Sequence, residues 1–282
     1  MQKKIFIILN YVLLISSISS DILKLMTYNI HFGNSIENKY SIEEIGKVIK
    51  NSKADIICLQ EVDVNWESRS NYENTIQKLS ELTKFYYFFA PIYNKRSNRG
   101  KEYPNEKFGV GFLSRYEIIS SYNYNLSRWS TQKEDPQPGD AEFPPKKGGF
   151  GNILINIKGK IISVYNTHLD YRPNPPPDFY KSIREIQVLE MLEIINFENY
   201  PVILMGDMNC DTSAKEVFSP LFNYFNDGWI FGNSTNGYTF PSNNPNKRID
   251  YILISKDLDV KNSMLIETQA SDHLPVLVDI EF

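Results

Sequence analysis

Short apolar runs, each about the length of one buried strand, recur along most of the chain. Runs of this kind, rich in β-branched, aliphatic and aromatic residues and bounded by polar or turn residues, are typical of strands packed inside a sheet protein. They occupy residues 22–28, 56–59, 86–90, 110–113, 152–157, 161–165, 202–205, 249–254 and 274–280. The chain must therefore fold around β-sheet.

Amphipathic stretches between these runs predict helices that cover the sheets. Ser41 followed by Glu44 forms a predicted capping box, which opens a helix reaching Ile49. Residues 74–82 and 178–195 carry apolar side chains at three- and four-residue spacing, as one face of a helix does. Helices and strands alternate irregularly, so the predicted class is α/β of the α+β type, a sandwich with mixed sheets.

Turn and polar residues predict one hairpin and two long loops. The runs 152–157 and 161–165 flank Lys158-Gly159 and predict an antiparallel hairpin. The polar stretches 94–107 and 131–151 predict two long loops.

The first twenty residues carry the pattern of a secretory signal peptide. Lys3 and Lys4 precede an apolar core at residues 5–15, and a tail of small residues follows at 16–20. An uncleaved membrane anchor is the alternative, but the apolar core is only about half the length of a spanning helix. The expected organisation is a signal peptide at residues 1–20 and one domain at 21–282, in a secreted or extracytoplasmic protein. Cys58 and Cys210 are expected to remain reduced.

Carboxylates, carboxamides and histidines gather where the apolar runs begin or end. Because ligands of α/β folds bind at such strand ends, we expect these side chains to converge on one sheet edge. Oxygen ligands without a Cys or His cluster favour Mg²⁺, with Mn²⁺ as the alternative, over structural zinc. The residues concerned are Asn29, Glu61, His168, Asp207, Asn209, Asp250, Asp272 and His273.

The chain has three histidines, and each stands near a carboxylate, carboxamide or serine in the sequence. Imidazole is the side chain whose ordinary pKa lies nearest neutrality, and a neighbouring carboxylate fixes its tautomer. His168 and His273 are therefore candidate catalytic groups. His31, two residues beyond Asn29, is expected only to shape the loop after the first strand.

With these motifs in this order, the chain resembles the endonuclease/exonuclease/phosphatase superfamily, which has the deoxyribonuclease-like fold. The resemblance rests on six motifs and covers about residues 22–282; the motifs are Thr-Tyr-Asn, Leu-Gln-Glu, Asn-Thr-His, Gly-Asp-Met-Asn, Arg-Ile-Asp-Tyr and Ser-Asp-His. It implies a four-layer sandwich of two mostly antiparallel mixed β-sheets, packed face to face with helices outside. It also implies metal-dependent hydrolysis of phosphoesters.

The resemblance assigns a metal site and substrate contacts. Glu61 is implied to be the principal magnesium ligand, with Asn29 and Asp272 completing or supporting the metal environment. Asn29, Asn209 and His168 are implied to contact the substrate.

It also assigns the catalytic groups. His273 is implied to be the general base, with Asp250 holding its tautomer. Asp207 and Asn209 are implied to orient water and phosphate, and His168 to donate to a phosphoryl oxygen or to assist the leaving group.

Substrate choice depends on weaker features. A net charge of −4 argues against a broad basic face for nucleic acid and favours a small or lipid phosphoester. A secreted nuclease and a noncatalytic binding module remain alternatives, monoester and diester cleavage stay open, and no obligate protein partner is inferred. Arg69, Arg115 and Lys147 are possible phosphate-binding groups, although solvent-exposed charge is the simpler interpretation.

Overall fold

The computed structural model describes residues 22–129, 144–172, 181–229 and 236–281. This part contains twelve strands and four α-helices. The strands are β1 (Ile22–Asn29), β2 (Ile56–Val64), β3 (Tyr86–Lys95), β4 (Glu106–Ser114), β5 (Ile118–Ser127), β6 (Lys146–Ile157), β7 (Lys160–His168), β8 (Val202–Asp207), β9 (Phe225–Asp227), β10 (Asp250–Ser255), β11 (Asp259–Leu265) and β12 (Val276–Glu281). The helices are α1 (Ile42–Ser52), α2 (Thr75–Thr83), α3 (Ile183–Ile195) and α4 (Lys215–Tyr224).

The strands form two six-stranded sheets. The first sheet has the order β11-β12-β1-β2-β4-β3, and the second has the order β5-β6-β7-β8-β10-β9. Each sheet contains one parallel pair, β1 with β2 and β7 with β8, while the other neighbours run antiparallel. The two sheets are therefore built alike, with a parallel pair inside each.

Three apolar clusters define four layers. The central cluster joins the facing sides of the two sheets, for example Cys58 and Phe112 with Val164 and Met205. A second cluster packs α1 and α2 against the first sheet. A third packs α3 and α4 against the second. This confirms the predicted sandwich of two mixed, mostly antiparallel sheets with helices outside, because each sheet buries both of its faces.

Several elements differ from the sequence expectation. Strands β5, β9 and β11 and helix α4 were not predicted, since β5 and β11 are rich in polar residues and α4 contains Pro220. The predicted loop at 94–107 is shorter, because β3 reaches Lys95 and β4 begins at Glu106. Of the predicted loop at 131–151, residues 131–143 lie outside the described residues, and the prediction is wrong from residue 146 onward, where β6 begins.

The predicted helices and hairpin are present with one correction. Asn74 caps α2 by accepting a hydrogen bond from the Gln77 amide. The capping box is wrong, because the Ser41 side chain makes no cap bond to α1. The β6–β7 hairpin is confirmed, with Lys158 and Gly159 both at positive φ, as a type I′ turn requires.

Two expectations concern the chain ends and the thiols. The predicted signal peptide, residues 1–20, lies outside the described residues, as does the start of the helix predicted from 178. Within the described ranges, no helix is long and apolar enough to cross a membrane. Cys58 and Cys210 are both free thiols, as predicted.

Candidate active site

The parallel strand pairs bring the predicted residues to one edge of the sandwich. Asn29 ends β1, and His168 and Asp207 end the neighbouring strands β7 and β8, where they lie directly opposite each other in register. Asp250 begins β10 and also lies opposite Asp207, because β10 runs antiparallel to β8. Carboxyl ends of parallel strands and the start of an antiparallel neighbour therefore meet at this edge.

Glu61 reaches the edge through a β-bulge in β2. Leu59 pairs with Gly111 and Val62 pairs with Gly109, so β2 has one more residue than β4 between these pairs. Glu61 takes a φ of +55°, a left-handed conformation that is unfavourable for glutamate. Bulges re-aim side chains next to functional sites, and this one turns the carboxylate toward Asn29.

The buried side-chain amides of Gln60 and Asn166 hydrogen-bond the bulge to the opposite sheet. Gln60 Nε2 donates to Asn166 Oδ1 at 2.8 Å, and Asn166 Nδ2 donates to the carbonyls of Leu59 (3.0 Å) and Gly111 (2.8 Å). Asn166 is fully buried on β7, so the Asn of Asn-Thr-His joins β7 to β2 and β4. The position of Glu61 therefore depends on a contact between the sheets.

Replacing Asn166 by alanine is expected to lower the free energy of unfolding by about 2–4 kcal/mol, because two carbonyls and the Gln60 amide lose their buried partner. Urea unfolding measures this loss. Asn105→Ala, which removes an exposed amide contact with Asn94, is the control and should change stability by less than about 0.5 kcal/mol. Equal stabilities of the two variants would contradict the role of Asn166 as a lock.

Asp207 lies at the centre of the site. Its Oδ2 accepts a hydrogen bond from Asn29 Nδ2 at 3.0 Å and its Oδ1 accepts one from the Asn209 amide at 2.8 Å. The Nε2 atoms of His168 and His273 lie 3.6 and 3.9 Å from Oδ2. Burial, followed by the charge of Asp250, raises the pKa of Asp207 to about 7. This carboxyl group can exchange a proton near neutral pH.

The glycine before Asp207 is required by its surroundings. A Cβ atom at Gly206 would lie 2.1 Å from the Thr167 carbonyl oxygen of β7. Only glycine lets β8 approach β7 closely enough to place Asp207 opposite His168.

His273 and Asp250 form a buried pair. Asp250 Oδ2 lies 2.8 Å from His273 Nδ1, and the Phe240 ring covers the imidazole at 4.8 Å between centroids. Burial alone would lower the pKa of His273, but the carboxylates of Asp250, Asp207 and Asp272 outweigh it and raise the pKa to about 10. The imidazole holds a proton on Nδ1 toward Asp250 and points Nε2 at Asp207.

His168 has the opposite electrostatic environment. Burial, the nearby Arg128 guanidinium and the charge on His273 lower its pKa to about 3. Arg128 Nη1 also donates to the His168 carbonyl at 2.9 Å, which fixes the end of β7. His168 is therefore a neutral imidazole at neutral pH, with Nε2 3.9 Å from Glu61 Oε1.

The oxygen atoms near Glu61 fit a hard divalent cation. Glu61 Oε1 accepts from Asn29 Nδ2 at 3.2 Å, while Oε2 makes no hydrogen bond within the described ranges. One buried oxygen of Asp250 also lacks a partner there. Asp207, Asp250 and His273 place three potential ligand atoms within 4.8 Å of one another. A donor set dominated by carboxylate oxygen suits Mg²⁺ or Mn²⁺.

The three residues predicted to form the metal site have different environments in the structure. Glu61 offers an open carboxylate oxygen, and Asp272 is half-buried with an oxygen 3.9 Å from His31 Nδ1. Asn29 uses Oδ1 to accept from the His31 amide and turns Nδ2 to Glu61 and Asp207. Asn29 therefore supports the carboxylates by hydrogen bonding. His31 shapes this loop through its main chain, in agreement with the sequence expectation.

Asn209 ties two strand ends together. It adopts a φ of +53°, which asparagine tolerates, and its Nδ2 donates to the Leu169 carbonyl at 2.8 Å. Its side-chain oxygen has no hydrogen bond within the described residues and remains able to orient a water molecule.

A cavity of about 310 Å³ adjoins Glu61 and His168. Arg69, a possible phosphate-binding group in the sequence, lines this cavity together with Trp66, whereas the other lining residues come from separate loops and strand ends. These additional residues include Phe32, Tyr93, Phe108, Arg128, Trp129 and Tyr171. Arg115, in contrast, pairs with Asp55 away from this cavity.

This fold, with carboxylates and histidines gathered at one edge of a four-layer sandwich, is the architecture of a class of phosphoester hydrolases. Residues 26–273 match the model of the Endonuclease/Exonuclease/phosphatase family, and the chain belongs to this family. Proteins of the family are generally phosphoester hydrolases and use a divalent metal.

Individual proteins are similar to this chain in sequence or in fold. The uncharacterized protein YbhP of Escherichia coli K12 is 25% identical over 275 residues, which cover 91% of this chain and 95% of YbhP. A family structure from Beutenbergia cavernae has a TM-score of 0.71 at 19% identity, covering 93% of this chain and 72% of that chain. A mannosyl-6-phosphatase from Bacteroides thetaiotaomicron has a TM-score of 0.63 at 17% identity, covering 92% and 100%. The structural likenesses show a shared fold.

Proposed function

We propose that the protein is a secreted, magnesium-dependent hydrolase of a small or lipid phosphoester. The observation that carries the chemistry is the Asp207 carboxylate, placed 3.6 Å from Nε2 of His168 and 3.9 Å from Nε2 of His273. Asp250 holds the far side of the His273 ring. Secretion is proposed from the charged, apolar and small-residue pattern of residues 1–20.

Glu61 and Asp272 would hold the magnesium ion, with Asn29 orienting Glu61 and Asp207. When bound, the ion supplies positive charge that polarises a phosphoryl oxygen and offsets the carboxylates that raise the pKa of His273. Mn²⁺ has similar ligand preferences and is the alternative.

His273 then accepts a proton from the attacking water at Nε2. Asp250 keeps one ring proton on Nδ1, and Nε2 carries a free lone pair only in the form of His273 that has lost its second proton, a form that the positive charge supplied by the ion would favour. Asp207 and the Asn209 side-chain oxygen orient the water for in-line attack. The pair therefore makes hydroxide available without a covalent intermediate. The hydroxide forms a new P–O bond as the ester P–O bond opposite it breaks, and the leaving oxygen takes its proton from solvent water.

His168 stabilises charge on the phosphoryl group. Because its pKa is lowered to about 3, it has no proton to transfer as an imidazolium at neutral pH. It can donate a hydrogen bond from one ring N–H to a phosphoryl oxygen, which is the first of the two roles expected from the sequence.

The size and charge of the site support a small substrate. A cavity of about 310 Å³ lies at the small end of the range for small-molecule sites. The mannosyl-6-phosphatase that shares this fold acts on a compact phosphorylated molecule by its name. A net charge of −4 supports a small or lipid phosphoester over nucleic acid, and the noncatalytic alternative is disfavoured because every expected site residue is present.

The test is a magnesium-dependent activity screen of the full chain. The substrates are phosphate mono- and diesters, phosphoinositides, sphingomyelin, RNA and plasmid DNA, and the His273→Ala variant serves as the blank. Hydrolysis of small or lipid esters that depends on magnesium supports the proposal. Activity on nucleic acid alone would contradict the proposed substrate class and support the nuclease alternative. Absence of activity on every ester would contradict the proposal that the protein is an enzyme.

Replacing Glu61 by glutamine is expected to raise the Mg²⁺ concentration for half-maximal activity by about tenfold or more, because a neutral amide binds a hard cation more weakly than a carboxylate does. Activity is measured across a magnesium titration. Glu44→Gln is the control, since Glu44 is exposed on α1 and pairs with Lys47. An unchanged magnesium requirement in Glu61→Gln would remove Glu61 from the metal site.

A further inference from the structure

The cavity beside Glu61 and His168 is built around one aromatic ring. The Phe108 ring, at the start of β4, lies 5.9–6.1 Å from the rings of Phe32, Trp66 and Tyr93. Aromatic faces arranged in this way bind flat or ring-shaped groups through dispersion and stacking. The cavity therefore presents an aromatic wall on which a ring could lie.

Arg69 is fixed in one position at this aromatic wall. Its Nε and Nη2 donate to the two oxygens of buried Asp63 at 2.8 and 2.9 Å. Its guanidinium carbon lies 3.7 Å from the centre of the Phe32 ring. Pairing along one edge and stacking on one face hold the side chain before any ligand arrives, so little conformational entropy is lost on binding.

The remaining edge of the Arg69 guanidinium is available. Nη1 has no hydrogen bond among the described residues, and the side chain is about one-third exposed. The free edge presents parallel N–H groups, which match two oxygens of a carboxylate or phosphate. Arg69 is thus preorganised to bind a carboxylate or phosphate group.

Phe108 also sets the spacing between Arg69 and the proposed reaction centre. Its ring centroid lies 6.5 Å from the His168 ring and 5.7 Å from the Arg69 guanidinium carbon. A phosphoryl group at His168 and an oxyanion at Arg69 would therefore be separated by about one ring lying on Phe108.

We propose that this cavity binds the alcohol part of the substrate, that this part is a ring bearing a second anionic group, and that Arg69 binds that group. The inference rests on the proposed function, because the phosphoryl group at Glu61 and His168 positions the ring. Arg69 is then a specificity-determining residue for substrates that carry a distal phosphate or carboxylate.

The charge around the cavity agrees with an anionic ligand. Arg128 also lines it, is buried, and donates to two main-chain carbonyls, those of Gly148 and His168. The nearby Asp170 carboxylate accepts from the amides of Trp129 and Arg172, so it is already hydrogen-bonded. Arg128 adds positive charge near the ring, which the Asp170 and Glu190 carboxylates partly balance, so the free edge of Arg69 is the group that would bind an anionic substituent.

The test compares matched esters that differ in one charge. 4-Carboxyphenyl phosphate and 4-carbamoylphenyl phosphate have the same shape, and their methyl diesters extend the comparison to diester cleavage. We expect kcat/KM to favour the carboxylate by about tenfold or more in the wild type. Arg69→Lys retains a positive charge beside Asp63 but lacks the second N–H edge, so the preference should fall below about threefold.

Arg115→Lys is the matched control, because Arg115 also pairs with an aspartate and lies 5.1 Å from an aromatic ring, away from this cavity. It should keep the wild-type preference. An equal preference in the wild type and Arg69→Lys, with both folded by circular dichroism, would overturn the proposal. A bisphosphate with its second phosphate in the para position identifies the better anion, and a preference for either anion that depends on Arg69 supports it.

A binding experiment separates this inference from the proposed function. Titration calorimetry measures binding of the products 4-hydroxybenzoate and 4-hydroxybenzamide without turnover. Tighter binding of the benzoate by the wild type, lost in Arg69→Lys, supports the subsite even if no ester is hydrolysed and the proposed function fails. Equal binding of the two products overturns the subsite even if the esters are hydrolysed.

Discussion

Replacing His273 by alanine is expected to lower kcat by about 10³-fold at saturating magnesium, because the water then loses its proton acceptor. The proposed role of His273 rests on two distances, Nδ1 to Asp250 at 2.8 Å and Nε2 to Asp207 at 3.9 Å. The surrounding carboxylates raise the pKa of His273, so the charge of a bound cation would be needed to offset them before Nε2 accepts a proton. Steady-state kinetics on the best substrate of the screen measure the loss.

His31→Ala is the control for this variant. His31 is the third histidine of the chain and lies 3.9 Å from Asp272, but its site contact is made by its main-chain amide. Its replacement should change kcat by less than about tenfold. A His273→Ala enzyme with near-normal kcat, folded and saturated with magnesium, would remove the histidine from the chemistry.

Most of the sheet core was predictable because its strands are continuous apolar runs. The inner strands β1, β2, β7, β8 and β10 are buried on both faces, so their sequences carry no competing polar pattern. Strand β5 lies at a sheet edge and exposes residues such as Tyr122, so its sequence reads as polar. The edge strands β5 and β11 were missed for this physical reason, whereas the edge strand β3 was predicted from its aromatic run at 86–90.

The clustering of the candidate site residues was predictable from the sequence, but their electrostatic environments needed geometry. Strand ends placed Asp207 and His168 near each other, while their different pKa shifts arise from burial and from charges distant in sequence. The low pKa of His168 depends partly on Arg128, which no motif contains. Motifs therefore gave the chemistry, and three-dimensional packing gave the proton positions.

The aromatic cavity could not have been predicted from the chain alone. Phe32, Trp66, Tyr93 and Phe108 lie far apart in sequence, and aromatic residues are most often core. The stacking of Arg69 on Phe32 likewise depends on two loops meeting. The proposed substrate subsite thus depends on contacts between elements, whereas the motifs typical of the family are local in the sequence.

Replacing Asp207 by asparagine is expected to lower kcat/KM by about 10³-fold, because the central negative charge that faces both histidines is lost. The amide also cannot accept from both Asn29 Nδ2 and the Asn209 amide, so one donor is left facing an NH₂ group. Kinetics across the magnesium titration measure the effect, and Asp211→Asn, which alters an exposed turn at Ser213, is the control.

A stability measurement distinguishes the expected loss of activity in Asp207→Asn from misfolding of the variant. The folded protein raises the pKa of Asp207 from 3.8 to about 7, so the ionised group destabilises the fold progressively as pH rises through that interval. A neutral amide carries no such cost above pH 7. Urea unfolding at pH 8 without added metal should therefore find Asp207→Asn at least as stable as the wild type, although its activity is lost. A stable Asp207→Asn variant that retains activity within tenfold of the wild type would show that the buried carboxylate does not serve catalysis. A markedly destabilised variant would show that the hydrogen bonds of Asp207 with Asn29 and Asn209 stabilise the fold by more than the burial of its charge destabilises it.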